Sequence, residues 1–295
     1  MTTRRHGRRL RVLLPLLLTL LSLRGAGAQQ EFPVRGMVTS VNRPARTFIA
    51  SIDAIANYMR AMTMPFDVPS VGDLDGLAPG AIVEFTLVVG AHSSYARNIH
   101  IVRYESVEQD PFTANRLTLL NDIVRGSAMK QVAVGEQVAD FALTDQQRRR
   151  VRLSDFAGKL LAMNFIYTSC PLPNFCLRLA NNFNVLQKRF QRALGRDLVL
   201  LTVTFDPTHD TPEVLATYAS QWNADAVKWH FLTGPPAEIG RVCDMFGVHA
   251  YGNEGQLDHS LHTVLIDRKQ KLAANIEGNQ FTATQLGDLV QTLLR

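Results

Sequence analysis

The residues most able to carry chemistry are two cysteines in the stretch NFIYTSCPLPNFCLRL. Cys170 and Cys176 have five residues between them, including Pro171 and Pro173. Redox-active and zinc-binding cysteine pairs usually have two residues between the cysteines, so this longer spacing leaves three interpretations open. The thiols could form a disulfide, bind a metal or have no chemical role. As thiolates they would be soft ligands, suited to Cu(I) and also to zinc.

The elements around the cysteines predict a strand followed by a helix. LLAMNFIYTS is a continuous apolar run, which is typical of a strand buried on both faces. The residues after Cys176 repeat with helical spacing, at Leu179, Phe183, Leu186 and Phe190. Unpaired amides and the positive end of the dipole at a helix start favour a thiolate. We therefore expect at least one of the two thiols to have a lowered pKa.

A metal held by two thiolates needs a third ligand, and His259 in QLDHSLHTVLID is the best candidate. It precedes a strand expected to be central, at a loop expected to approach the cysteine loop. The alternative is a structural disulfide with His259 as an ordinary surface residue. His262 falls within the strand and is expected to pack. Cys243 lies on a helix among apolar neighbours and is expected to be a core thiol.

Strand and helix patterns alternate from residue 137 onward. LVLLTVTF reads as a second buried strand, and TPEVLATYASQW as a helix with Thr211 as N-cap and Pro212 in its first turn. SLHTVLID and KLAANIEG predict a hairpin, and TATQLGDLVQTLL a closing helix. This order predicts an α/β thioredoxin-like domain over residues 137–295.

The preceding part, residues 34–104, predicts a small all-β barrel. GMVTSVNRPARTFIASI gives two alternating strands around a turn, and AMTMPFDV, GAIVEFTLVVG and YARNIHIVRYE give three more. In a strand Met62 and Met64 share one face, and Met59 approaches from the preceding turn. Three thioethers would form a neutral, soft site for Cu(I) or Ag(I). Alternatively Met62, Met64 and Phe66 form a core stripe.

Two further segments complete the expected organisation. Residues 1–28 have a basic start, an apolar run and a small-residue cleavage site after Ala28, which predicts a signal peptide and export. Without the six arginines of that segment, 25 basic and 26 acidic residues remain, so nothing supports nucleic-acid binding. Residues 105–136 predict a linker with a short helix near 115–124. Three cysteines are too few for a disulfide scaffold.

Residues 137–295 resemble the Sco/SenC family of copper-binding, thioredoxin-like proteins that help to assemble the copper centre of cytochrome oxidase. The similarity lies in DPTHDTPEVLATYA, WHFLTG and DHSLHTVLID, besides the cysteine segment. It implies that Cys170, Cys176 and His259 are copper ligands, and that Asp206 and Asp210 match acids of the family. The family usually has three residues between its cysteines, where this chain has five. Asp210 could alternatively do no more than precede an N-cap.

Residues 34–104 look like the CusF-like periplasmic copper-binding barrels, through MTMPF and the hairpin start GMVTSV. This resemblance implies that Met62 and Met64 bind metal. The tryptophan that caps copper in CusF falls at Met59, and the family's histidine ligand falls at Ile52, which cannot bind metal. Two further histidines lie elsewhere in the barrel without a spacing that recruits them: His92 and His100.

Together the two resemblances imply an exported copper-binding metallochaperone rather than an enzyme. The expected partners are a copper acceptor, such as a cytochrome oxidase subunit, and a thiol reductant. The expected location is periplasmic or otherwise extracytoplasmic, with a membrane anchor if the signal is retained. The main alternative is a thiol–disulfide oxidoreductase, for which Cys170 and Cys176 are essential and His259 is dispensable. A peroxiredoxin-like peroxidase is disfavoured, since no Pro-x-x-x-Thr leads into Cys170.

Overall fold

The computed structural model describes residues 29–102, 131–170, 175–248, 250–253 and 256–295. The expected signal peptide and the expected helix near 115–124 lie outside these residues. None of the described helices is long and apolar enough to cross a membrane. The described residues form two sheets joined by a shared interface, together with a two-stranded ribbon.

The N-terminal part is an antiparallel sheet of five strands in the order β3-β2-β1-β4-β5. The two edge strands contact each other, so the sheet curls into a barrel. Its core contains the rings of Phe48, Phe66 and Phe85, with centroids 4.9–5.5 Å apart. The predicted small all-β fold is confirmed. The strands are β1 (Gln30–Asn42), β2 (Thr47–Ile52), β3 (Met62–Asp67), β4 (Ile82–Val89) and β5 (Ser94–Ile101).

The C-terminal part is a seven-stranded mixed sheet in the order β14-β13-β8-β9-β10-β6-β7. Its strands are β6 (Ala142–Asp145), β7 (Arg150–Arg152), β8 (Leu160–Ile166), β9 (Leu198–Thr204), β10 (Trp229–Thr233), β13 (His262–Ile266) and β14 (Leu272–Glu277). The helices are α1 (Cys176–Arg189), α2 (Pro212–Gln221), α3 (Pro236–Phe246) and α4 (Ala283–Leu294). Strands β11 (Ala250–Asn253) and β12 (Gln256–His259) form the separate ribbon.

This topology confirms the predicted thioredoxin-like order. Strands β8, β9 and β10 are parallel, and β13 and β14 form the predicted antiparallel hairpin beside β8. Every residue of β8 and β9 is buried, as their continuous apolar runs require. Helix α2 begins as predicted, with the Thr211 hydroxyl accepting from the Val214 amide and proline at its first position. The β6–β7 hairpin and the β11–β12 ribbon were not predicted.

The barrel packs on the closing helix and edge of the C-terminal sheet. Met37 and Ile82 belong to the same buried cluster as the C-terminal core, and β1 and β2 contact α4. Gly80 permits this approach, because a Cβ there would lie 2.8 Å from the Ile276 side chain. Its φ of +91° is also a conformation that favours glycine.

A single carboxylate joins the two parts through polar contacts. Asp288 of α4 accepts hydrogen bonds from the hydroxyls of Ser51 and Thr63, at 2.7 and 2.8 Å, and pairs with Arg189 at 2.6 Å. Burial acts to raise the pKa of Asp288, but these three donors outweigh it and hold the pKa below its usual value. The methionine-bearing strand β3 is therefore tied to α4.

Candidate metal centre

Cys170 and Cys176 lie at the carboxyl end of β8, where α1 begins. Strand β8 ends at Ile166, and the Cys170 amide donates to the Tyr167 carbonyl at 3.4 Å, which makes a turn. Cys176 is the first residue of α1 and is 1% exposed, whereas Cys170 is half-buried. The side chains of Cys170 and Cys176 are hydrogen-bonded to each other. The two predicted ligands are thus in direct contact.

The expectation that at least one of the two thiols has a lowered pKa does not hold at Cys176. The hydrogen bond that the Cys176 thiol donates to Cys170, followed by burial, raises the pKa of Cys176. The backbone of Tyr167 and the amide of Cys176 itself act in the opposite direction, as a helix start should, but they do not prevail. The Cys176 thiol therefore keeps its proton, and a cation bound to its sulfur would displace that proton.

Asp210 holds the cysteine loop to the neighbouring strand. Its carboxylate is 1% exposed and accepts from the backbone amide of Thr168 at 3.1 Å. It also accepts from the hydroxyls of Thr168 and Thr204. Thr168 lies two residues before Cys170, and Thr204 ends β9. Asp210 thus does more than precede an N-cap, since it fixes the direction in which the chain leaves β8.

Asp206 and His209 form a second polar pair after β9. The imidazole Nδ1 of His209 lies 2.8 Å from the Asp206 carboxylate, and its side chain is exposed. The hydrogen bond with Asp206, followed by the charge of that carboxylate, raises the pKa of His209. These residues follow β9 at the same sheet edge as Cys170, because β8 and β9 are parallel.

His259 is the last residue of β12 rather than part of a loop. It pairs with Ala250 across the ribbon. Strand β13 begins three residues later and runs antiparallel to β8, with Thr263 opposite Asn164. The start of β13 therefore lies beside the carboxyl end of β8, which puts His259 and Cys170 beyond the same edge. Strand β13 is next to the edge strand β14 and is not the middle strand of the sheet.

Tyr218 is a neighbour of the thiols that the sequence analysis missed. Burial, followed by the charge of a Cys176 thiolate, raises the pKa of the Tyr218 hydroxyl above its usual range. The residue lies on α2, which carried no motif pointing to the cysteines. Only a buried aromatic at helical spacing was visible, and such residues are ordinary core residues.

Met62 and Met64 lie on β3, an edge strand in the order of the five-stranded sheet. Met62 and Met64 share a face of β3, and their backbones pair with Ile52 and Ala50 of β2. Met62 is 48% exposed, Met64 is half-buried against the barrel core, and Phe66 is buried. Exposure thus increases along this face of β3 from Phe66 to Met62, so the Met62 side chain remains accessible to solvent.

Met59 and Ile52 occupy the positions that the CusF resemblance assigns to the copper-capping tryptophan and the histidine ligand. Met59 packs against the barrel core, and its backbone bridges to Ile55 in the turn before β3. Ile52 lies directly opposite Met62 and is buried. The position that the CusF resemblance assigns to a histidine ligand is therefore beside Met62, but it carries an aliphatic side chain.

The remaining candidates have structural surroundings. His262 is buried at the start of β13, with Nδ1 2.8 Å from the Asn275 side chain. Cys243 is buried on α3, as expected of a core thiol. His92 and His100 are exposed in the barrel, outside the methionine strand. Among the side chains that the structure describes, no three of the His, Cys, Asp or Glu type are grouped around a possible metal position.

A thioredoxin-like domain with two contacting thiols at the strand–helix junction defines a class of dithiol proteins that handle either electrons or soft metals. The SCO1/SenC family model matches residues 130–294, and a model described as copper binding periplasmic protein CusF matches residues 31–100. The chain belongs to the SCO1/SenC family, with a CusF-like domain before the Sco domain.

Two Rickettsia relatives agree with this assignment. The SCO2-like protein RT0576 of Rickettsia typhi is 31% identical over 149 residues, 48% of this chain and 68% of that protein. The SCO2-like protein of Rickettsia felis is 31% identical over 141 residues, and the chain covers 65% of its length. The solved structure of Bradyrhizobium japonicum ScoI with copper bound is 26% identical and covers 54% of this chain and 100% of that one, with a TM-score of 0.45.

Proposed function

We propose that this protein is an exported copper metallochaperone that binds copper through Cys170, Cys176 and His259 and passes it to a cuproprotein. The observation that carries the proposal is the hydrogen-bonded contact of the Cys170 and Cys176 side chains at the carboxyl end of β8. Membership of the SCO1/SenC family, and the copper chemistry that the resemblance to that family implies, support copper as the cargo. A respiratory oxidase subunit is the proposed acceptor.

The arrangement of the thiols suits transient binding. Cys176 is buried and Cys170 is half-buried, so an incoming ion meets Cys170 first and an acceptor can compete from the same side. Displacement of the Cys176 proton by copper makes copper affinity increase with pH. Oxidation to a disulfide would remove both thiolates, so a thiol reductant is a proposed partner.

The barrel is proposed as a second Cu(I) site, formed by Met62 and Met64 with Met59 as a third thioether. The match to the CusF model and the exposure of Met62 support this assignment. Thioethers are soft, uncharged ligands that do not form disulfides. The domain division at 34–104, 105–136 and 137–295 belongs to the same proposal, as does a cleaved signal over residues 1–28.

Copper stoichiometry tests both sites. The reduced mature chain is loaded with Cu(I) and analysed by native mass spectrometry, beside the variant Cys170→Ser/Cys176→Ser/His259→Ala. We expect two equivalents in the unchanged chain and one in the variant, which Met62→Leu/Met64→Leu then removes. The matched control is Cys243→Ser, which loses a thiol of the α3 core and should keep both equivalents. A reduced wild-type chain without copper would refute the proposal.

His259 separates the metallochaperone from the thiol–disulfide oxidoreductase. Copper retention by the Sco domain requires the histidine, whereas disulfide exchange requires only the two thiols. His259→Ala should therefore lose copper while keeping the thiol–disulfide potential of the cysteine pair. If His259→Ala keeps its copper and the cysteines reduce a protein disulfide or oxidise a protein dithiol at an undiminished rate, the oxidoreductase reading is correct.

A further inference from the structure

An arginine-lined groove lies at the far edge of the C-terminal sheet from the barrel. Its volume is about 490 Å³. The floor is the outer face of the β6–β7 hairpin, with Ala142 and Thr144 half-buried, and the opposite wall is the start of α3. The lining includes four arginines and only two acidic residues: Arg148, Arg150, Arg152, Arg241, Asp140 and Glu238.

Some of the arginines in this groove form ion pairs with acidic side chains, and others form none within the described part of the chain. Arg148 pairs with Glu213, and Arg241 pairs with Glu238 at 2.8 Å. Asp140 accepts from the amide and hydroxyl of Ser154, at 3.0 and 3.1 Å. Arg150 and Arg152 are exposed and have no ion pair with any described residue. The groove therefore presents two uncompensated guanidinium groups, which bind carboxylates in a bidentate manner.

Arg150 and Arg152 lie on the same face of β7. They flank buried Val151 on β7, so both side chains leave the same face, roughly 7 Å apart along the strand. In the described sheet β7 is the edge strand and pairs only with β6, through Ala142, Leu143 and Thr144. An extended peptide added beside β7 would place the Cβ atoms of alternate side chains about 5 Å from the Cβ atoms of Arg150 and Arg152, within reach of their guanidinium groups.

The groove opens at the same end of the sheet as the cysteine loop. Phe165 of β8 is in register with Val203 of β9, Leu232 of β10 and Asp145 of β6. Thr144, one residue nearer to the carboxyl end of β8, is opposite Arg150. Four strand spacings separate β8 from β7, which amounts to roughly 19 Å. A protein segment held by the arginines would thus keep its parent protein over the cysteines.

We propose that β7 is a docking edge for a partner protein, which adds an extended acidic segment with carboxylates at alternating positions. The pattern Glu-x-Glu fits the spacing of Arg150 and Arg152. The barrel occupies the opposite edge of the sheet, so docking leaves it in place. This site goes beyond copper binding and does not include a metal ligand.

The test uses the mature chain and fluorescently labelled peptides. The probe is fluorescein-Glu-Val-Glu-Val-Glu-amide, with fluorescein-Lys-Val-Lys-Val-Lys-amide as its charge-reversed counterpart. We expect the acidic peptide to bind with millimolar or better affinity, and Arg150→Glu/Arg152→Glu to weaken binding at least about tenfold. That variant should instead bind the lysine peptide. Binding of the acidic peptide should weaken as salt rises.

The matched control is Arg192→Glu/Lys269→Glu, which changes charge equally at two exposed residues outside the groove. Its affinity should stay within about twofold of wild type. Equal affinity in the groove variant, or no peptide binding to the wild type at millimolar concentration, would overturn the proposal. So would binding of inorganic phosphate or phosphatidylglycerol vesicles through the same arginines without peptide binding. Copper stoichiometry should not change in the groove variant, so this test fails or succeeds independently of the proposed function.

Discussion

Replacement of Asp210 by alanine should destabilise the C-terminal domain and loosen the cysteine loop. The substitution removes the acceptor of three hydrogen bonds, from the Thr168 amide and from the hydroxyls of Thr168 and Thr204. The hydroxyls can rotate towards other acceptors, and the Thr204 oxygen already accepts from the Asp206 amide at 3.0 Å. The Thr168 amide cannot turn, so it bears the full cost of a buried, unpaired donor.

The magnitude follows from these differences. An unpaired buried amide costs about 1–3 kcal/mol, and each reoriented hydroxyl about 0.5–1 kcal/mol. Asp210→Ala should therefore lower the free energy of unfolding by roughly 2–5 kcal/mol. Asp210→Asn keeps one carbonyl oxygen that can accept from the Thr168 amide, so its cost should be roughly 1–2 kcal/mol. Because Asp210 orients the loop that carries Cys170, copper affinity should also fall about 10- to 100-fold in Asp210→Ala.

Urea unfolding followed by tryptophan fluorescence measures the effect. The chain has two tryptophans, Trp222 and Trp229, and both belong to the C-terminal domain. Asp197→Ala is the matched control, because it removes an exposed ion pair with Arg196 and should cost less than about 1 kcal/mol. The reasoning is refuted if Asp210→Ala unfolds within about 0.5 kcal/mol of wild type, or if the alanine and asparagine variants are equally stable.

Three other predictions concern the interface, a buried histidine and the methionines. Asp288→Ala should release β3, so that hydrogen exchange of the Thr63 amide accelerates about tenfold or more. Because the pKa of Asp288 is lowered, the stabilisation that its carboxylate provides is present above the usual carboxyl pKa and is lost as pH falls through the pKa of Asp288 in the folded protein. Burial lowers the pKa of His230. The stabilisation from the neutral imidazole should therefore be complete above about pH 6.5, and it should decline as pH falls towards the pKa of His230 in the folded protein. His230→Gln should remove this pH dependence of the unfolding free energy. Met62→Leu/Met64→Leu should lose Cu(I) from the barrel while changing the unfolding free energy by less than about 1.5 kcal/mol.

Each of these predictions has a control. Thr284→Ala, which leaves Asp288 in place, should not accelerate exchange in β3. His209 is exposed and has a raised pKa through Asp206, so its contribution is present below the unfolded pKa and declines as pH rises through the folded value, opposite to His230. Phe66→Leu should destabilise the barrel without removing copper. Unchanged exchange, an unaltered pH profile or retained barrel copper would contradict the respective prediction.

The sequence was informative where residues act through local pattern. The continuous apolar runs of β8 and β9, the alternation of the barrel strands and the Thr211 cap all depend on neighbours within a few positions. The strand–helix junction at Cys170 and Cys176 followed from the same patterns. Hairpin β6–β7 carried no such signal, because its strands have four and three residues.

The parts that could not be predicted depend on residues far apart in the chain. Asp288 meets Ser51 across 237 positions and Thr63 across 225, and Asp210 meets Thr168 across 42. The hydrophobic periodicity of the sequence does not indicate contacts between residues so far apart in the chain. The pKa of Cys176 departs from the expected direction for a related reason: the sequence indicates the helix start, but not the extent of burial or the contact between the sulfurs.

Helix α1 separates the two proposed copper sites by a fixed length. Its first residue is Cys176, and its last, Arg189, pairs with the carboxylate that also binds Thr63, between the two β3 methionines. Fourteen residues of helix span about 21 Å, far beyond the roughly 2.3 Å of a metal–sulfur bond. One ion cannot be shared by the two ligand sets while the barrel is docked. Handover between them within the docked chain is therefore blocked, and exchange between two molecules should obey second-order kinetics in protein concentration.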